Sequence, residues 1–260
     1  MVVPDTVIRR LPGSALHELF PDDPFLRWDV AQPHRTPVWV NGSAVAFQRR
    51  SHSRHIHGVS LLGAARDLPA LLDAVLEQLP PEVNAVSVER PHLPLLVDRL
   101  GDRFAGGGDW DWLWTDRVPP RLAAEDALVE LDDTRDAADI TALNRIGNPT
   151  AESAPGTGRT ELWLGARERG RLVAAGAIHR TPGGAPHLAG IVVDPQRRGA
   201  GLGVALTAAL TRRAIAGDGV CTLGMYADND RARGIYERLG FTVARAWASR
   251  RLSPTNPRRT

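Results

Sequence analysis

Three glycines at alternate positions, Gly199, Gly201 and Gly203, follow the apolar run Ile191-Val192-Val193 and a turn at Asp194-Pro195. A strand that runs into a proline turn and then into helically spaced Leu202, Leu206 and Leu210 defines a strand–loop–helix unit. Glycine admits the left-handed backbone such a turn needs and lets other groups approach the main chain. The first N–H groups of the helix have no intrahelical partner, so with the helix dipole they form a cradle for an anion, phosphate above all. The spacing is Gly-x-Gly-x-Gly after the polar insertion Gln196-Arg197-Arg198. A dinucleotide-binding fingerprint is Gly-x-Gly-x-x-Gly set tight against its strand, so this is a different device.

The flanking sequence alternates strand and helix signals. Strands are expected over 127–131, 161–167, 171–179, 188–193, 220–226 and 241–248, and helices over 135–146, from Leu202 to a stop at Gly217, and over 230–239 with Gly240 as cap. Together they make a mixed α/β unit, with a Pro/Ser/Gly-rich loop over 148–158. The first half repeats part of this order: helix 68–79, strand 84–89, helix 92–100 and strand 109–116. A shift of 139 positions lays Arg99-Leu100-Gly101 on Arg238-Leu239-Gly240, Val97 on Tyr236 and Ala64 on Gly203. The join is expected at Val118-Pro119-Pro120-Arg121, giving domains 1–120 and 121–252 and a frayed tail 253–260.

Composition removes whole classes of chemistry. All 32 residues counted as Lys+Arg are arginine. Walker-type phosphate loops, protein kinases, pyridoxal-phosphate enzymes and Schiff-base aldolases all need a lysine and are excluded. No apolar stretch approaches the ~20 residues of a membrane helix. The N-terminal Met1-Val2-Val3-Pro4-Asp5 lacks a signal peptide's basic start, and one cysteine, Cys221, forms no internal disulfide, so a cytoplasmic protein is expected. The net charge of +2 gives no reason to expect nucleic acid, and the basic segments around Arg250-Arg251 and Arg258-Arg259 carry no interleaved aromatics.

Gln196-Arg197-Arg198-Gly199-Ala200-Gly201 matches Gln/Arg-x-x-Gly-x-Gly/Ala behind a Val-x-Pro strand end, and Asn229, Ala232, Tyr236 and Leu239-Gly240-Phe241 follow at the spacing of a second block. In both blocks the chain resembles the GCN5-related N-acetyltransferase (GNAT) family over 127–252. The resemblance implies an α/β fold with a mixed sheet in the C-terminal half and a degenerate GNAT-like copy in the N-terminal half. The tandem arrangement also resembles the mycothiol synthase and glycine acyltransferase-like families, with neither subfamily's signature in the first half.

The resemblance also implies acetyl-CoA as acyl donor. Ile191, Val192 and Val193 would pair through their backbone with the pantetheine arm. Main-chain amides from Arg197, Arg198, Gly199, Ala200, Gly201, Leu202 and Gly203 would wrap the pyrophosphate, Arg198 adding charge, and Asn229 would contact the donor from the next helix. Leu62-Gly63-Ala64-Ala65 stands where the first half would need the loop, so one donor site per chain is expected. The reaction implied is direct attack by a primary amine of a small amine, amino acid or protein N-terminus. The rival reading is a non-catalytic CoA-binding sensor or scaffold.

An alkylammonium of pKa near ~10.4 is neutral only about once in a few thousand molecules at pH 7, so a base or a desolvating pocket has to help. His187, Glu161 or a relayed water is the candidate base. Tyr236 is the candidate proton donor to the departing thiolate, a phenol being suited to a thiol of pKa ~8.5. His52, His55 and His57 lack the ligands that would complete a zinc site, so no metal is expected. Trp110, Trp112 and Trp114 alternate as a core stripe would, and Cys221 reads as a packing thiol.

Overall fold

The computed structural model describes residues 7–51, 56–151 and 153–253, so His52, His55 and the Arg258-Arg259 pair lie outside the described residues. The chain forms two compact units. The first holds the residues up to Asp111, Tyr226–Asp228 and the stretch from Arg245. The second holds Trp112–Met225 and Asn229–Ala244.

The first unit comprises β1 (Arg9–Leu11), α1 (Ala15–Leu19), α2 (Pro24–Asp29), β2 (Val38–Asn41), β3 (Ala44–Arg50), β4 (His57–Leu62), α3 (Leu68–Glu77), β5 (Ala85–Glu89), α4 (Leu93–Leu100) and the start of β6 (Phe104–Thr115). Strands β1 to β4 are antiparallel neighbours, and β4 and β5 are parallel. The second unit follows with β7 (Leu128–Leu131), α5 (Ala137–Gly147), β8 (Leu162–Glu168), β9 (Arg171–Arg180), β10 (Pro186–Val193), α6 (Leu202–Asp218), β11 (Cys221–Tyr226), α7 (Asp230–Arg238) and β12 (Thr242–Leu252). Strands β7 to β10 are antiparallel neighbours, and β10 and β11 are parallel. The order strand, helix, three antiparallel strands, helix, parallel strand, helix, strand thus occurs twice, with two short helices, α1 and α2, in place of the single α5 in the first unit. None of the helices among the described residues is long and apolar enough to cross a membrane.

The division between the units differs from the expected join at 118–121. It falls inside β6, whose last residues Trp112–Thr115 belong to the second unit, and again inside β12, whose residues from Arg245 belong to the first. There β12 pairs antiparallel with β5, from Trp247↔Glu89 to Arg251↔Ala85. Pro119 and Pro120 break regular structure only locally, because Trp112 and Leu113 before them are fully buried, Leu113 in the second unit's main core cluster. The tryptophan stripe divides in the same way, Trp110 stacking on Trp247 in the first unit with ring centroids 6.1 Å apart. Strand β6 also starts five residues before the expected 109. Gly107 lies where a Cβ would stand 2.1 Å from the Ser249 carbonyl oxygen, so this glycine serves close strand approach.

The second unit's sheet is buried on both faces, which is why β9 reads as an almost unbroken small apolar run. On one face Ala174, Ile178, Leu188 and Leu223 pack with Leu206 and Leu210 of α6. On the other, Trp163, Ala175, Ala177 and Val192 pack with Ile140 and Leu143 of α5. Trp163 also donates its indole N–H to Asp133 at 2.8 Å. Removing this ring leaves a cavity and takes one hydrogen bond from Asp133, whose other oxygen still accepts the Gly158 N–H at 2.8 Å. Trp163→Ala is expected to lose about 3–5 kcal/mol of stability, read as a lowered urea midpoint with an unchanged slope.

Candidate functional site

The site is built where β10 leaves its neighbour. The parallel ladder to β11 consists of His187↔Thr222 and Leu188↔Leu223. Beyond Leu188 a register shift against β9 falls between Ala189 and Val192, and Gly190 takes φ 61°. A bulge re-aims the strand, so Ala189 to Val193 have no ladder partner on β11, the Ile191 carbonyl oxygen accepting instead from the Asn148 side-chain amide at 3.5 Å. Only glycine fits at 190: its φ is left-handed and an added Cβ would meet the Ser153 side chain at 2.7 Å. Pairing with β9 resumes at Val192↔Ala175 and Val193↔Ala174 and holds the other edge.

Asp194 then organises the turn, a role the sequence reading missed. Its side chain is 1% exposed, accepts the Gln196 N–H at 2.9 Å and is ion-paired with Arg171, while its own N–H bonds Val173 and its carbonyl oxygen accepts from Arg197 N–H. An aspartate directly before a proline turn was the available signal. Gly199 and Gly201 follow at φ 90° and 79°, and Gly201 is the N-cap of the 17-residue α6 with no side-chain cap. A Cβ on Gly199 would meet nothing within 4 Å, and one on Gly201 only Ala124, at 3.9 Å. The loop is therefore open toward solvent and lined by backbone. Such a cradle fits a phosphate diester.

The two arginines are committed to the protein. Arg197 donates from Nε to Glu168 at 2.8 Å, and Arg198 donates to the Gly147 carbonyl at the end of α5, also at 2.8 Å. The expected charge of Arg198 is thus present at the loop but tied to that helix end. Asn229 caps α7, its side-chain oxygen accepting the Ala232 N–H at 3.1 Å. That leaves the amide nitrogen as the group Asn229 can offer.

His187 lies inside β10, one residue from its start, on the face opposite Leu188 and the α6 core. Its Nδ1 is 2.9 Å from Thr222 Oγ1. Tyr236 packs on the α6 side, half-buried, with its ring edge-on to Phe241 at 5.9 Å. Desolvation pushes its phenol up to about 12, so it is protonated throughout the neutral range. His187 and Tyr236 thus lie on opposite faces of the sheet.

Glu161 stands away from the glycine loop, toward the His187 end of β10, its N–H bonded to the Ile178 carbonyl on β9. It is held bidentate by Arg180, at 2.5 and 2.7 Å, and Arg180 also bonds Asp218 at 2.6 Å, at the C-terminal end of α6. The helix puts that end about 25 Å from the glycine loop at 1.5 Å per residue. There Glu161 lines a polar cleft of about 450 Å³ with Arg213 and Asp218. Cys221 is fully buried, and burial pushes its thiol up to about 12, as suits a packing residue. His57 lies on β4 with Nε2 3.1 Å from Gln48 Oε1.

The first unit lacks the equivalent opening. Its parallel ladder runs unbroken over four pairs, Gly58↔Ala85 to Leu61↔Val88. Its turn is filled: a Cβ on Gly63 would stand 2.4 Å from Ala44 Cα, and the Asp67 carboxylate accepts both the N–H and the hydroxyl of Ser43 just before α3. Those bonds hold the Asp67 carboxyl below its ordinary value, so a negative charge already stands there.

The sequence model of the acetyltransferase (GNAT) family matches residues 110–241, just over half of the chain. Mycothiol acetyltransferase from Kocuria rhizophila is 42% identical over 69 residues, and the match spans 25% of this chain and only 22% of that protein. A GCN5-related N-acetyltransferase from Sphaerobacter thermophilus superposes with a TM-score of 0.58 at 16% identity, covering 96% of each chain. Another, from Kribbella flavida, gives 0.56 at 16% identity over 92% of this chain and 95% of its own. At such identities the structural likeness is one of fold. The family match over the segment that contains the bulged strand, the glycine loop and α7 carries the assignment: the chain belongs to the acetyltransferase (GNAT) family.

Proposed function

We propose that the protein is an acetyl-CoA-dependent N-acetyltransferase acting on a primary amine, with one donor site per chain, in the second unit. The observation that carries this reading is the coincidence of an interrupted β10–β11 ladder with an uncapped, glycine-lined start of α6. An extended arm ending in a diphosphate needs both at once: backbone to pair with along the strand and free amides at its end.

Amides of residues 198–203 hold the diphosphate, and the main chain of Ile191 to Val193 pairs with the arm. From Val193 back to Ala189, where the ladder with β11 closes, is about 13 Å of strand at ~3.3 Å per residue, which brings an extended chain to within two residues of His187. Acetyl-CoA supplies the activated acyl group. His187 takes the proton of the attacking amine, and a Val192 or Val193 amide polarises the carbonyl that is attacked. Tyr236, neutral because it is desolvated, donates a hydrogen bond to sulfur as negative charge develops there. A thiolate leaving into the same dry surroundings has its own pKa raised, which favours the transfer. The opposite placement of base and acid suits a reaction in which one proton is lost and another gained on two sides of one carbon.

Titration calorimetry with CoA should give one site per chain, and Gly201→Asp should abolish it by placing a carboxylate against the diphosphate. Retained affinity in that variant would refute the loop as the donor site. A free-thiol release assay with acetyl-CoA over a panel of small amines, amino acids and peptides should reveal an acceptor. Tyr236→Phe should lower its kcat by about 10²-fold or more, the usual contribution of a positioned acid. Binding of CoA with no thiol release from any acceptor favours the sensor reading instead. In alkaline titration at 295 nm, the amplitude lost in Tyr236→Phe should be the part that ionises near 12. Because the folded value lies above the ordinary one near ~10, this group's stabilisation is complete below pH ~10 and fades as pH rises through about 12.

A further inference from the structure

We propose that Thr222 sets the tautomer of His187 and thereby decides which imidazole nitrogen accepts the proton. This inference rests on the reading of His187 as the base. Thr222 is fully buried on β11 and is the ladder partner of His187. Its hydroxyl oxygen lies 2.9 Å from the Pro186 carbonyl oxygen and 2.9 Å from His187 Nδ1. A threonine hydroxyl has one proton, and a carbonyl oxygen can only accept. The proton therefore goes to Pro186, and the hydroxyl presents lone pairs to His187. Nδ1 carries a hydrogen, and the neutral ring has its basic lone pair on Nε2.

Nε2 is on the side of Gly224, where an added methyl would stand 3.9 Å from it. Gly224 is exposed and follows Leu223, the last residue of β11 in the ladder with β10. The basic nitrogen is thus turned toward the opening between the strands. In the other tautomer, the lone pair would point at Thr222, inside the sheet. On the opposite flank the cross-strand neighbour is His179, buried, with Nε2 3.1 Å from Thr160 Oγ1 and with Asp133 in electrostatic range.

The step balances simply. An N–H bond of the acceptor amine breaks, an N–H bond forms at Nε2, and the proton leaves later to water. Throughout, the Nδ1–H bond to Thr222 is kept, so the ring does not have to turn when it becomes charged. A serine at 222 retains this arrangement, and a valine of the same shape does not.

The test has two readouts on the full-length protein. Nitrogen-15 NMR of histidine-labelled protein, with His187 assigned through His187→Gln, should show the Nδ1–H form in wild type and in Thr222→Ser, and a mixture of tautomers in Thr222→Val. Wild-type protein showing the Nε2–H form overturns the proposal, whether or not any amine is acetylated. In thiol-release kinetics, Thr222→Val should lose about tenfold or more in kcat with the KM for acetyl-CoA within about twofold, and Thr222→Ser should recover most of the loss. Unchanged kcat in the valine variant also overturns it. Failure of every amine in wild type counts against the acetyltransferase reading alone, because the NMR result still decides the tautomer.

Discussion

A parallel pair of strands that stays hydrogen-bonded along its length has no room for anything else, and the whole candidate site exists because β10 and β11 do not. The bulge at Gly190 ends their ladder after two pairs, whereas the matching strands β4 and β5 continue for four. The two units repeat one order of elements, so the contrast isolates the cause. Where the ladder persists, the turn behind it is closed by Ala44 and by the Ser43–Asp67 contacts. Where it is interrupted, the turn behind it is open and lined by main chain.

The electrostatics follow the same division of labour. Arginine is the chain's only strong cation, and a guanidinium keeps its charge in any site. Yet at the loop both arginines brace neighbouring elements, Arg197 against Glu168 and Arg198 against the end of α5. The open face of the loop therefore offers backbone amides and the helix dipole, which need no side-chain ordering. Asp194, buried under the loop and paired with Arg171, holds the turn in shape without placing its charge at the open face.

How much of this could be read from the chain depended on distance in sequence. The glycine loop was legible because strand end, proline, glycines and helix start are contiguous, and local chemistry fixes each of them. His187 was legible as a residue type near the loop, but its partner Thr222 lies 35 positions away and has no signature of its own. Glu161 has the right chemistry for a base and only the folded chain shows that Arg180 claims it. The close approach at Gly107 has no local signal because the backbone of β12 that meets it lies some 140 residues on. The short strands and helices before residue 68 gave too little periodicity to be recognised.

The ownership of β12 bears on the order in which the protein can fold. The first unit takes its strand beside β5 from residues some 160 positions further along the chain. Until those residues are in place, β5 presents an unpaired edge on the β12 side, and Ala248 is missing from the core around Val86 and Val88. Completion of the first unit's sheet is thus a non-local step that waits for the whole intervening sequence of the second unit.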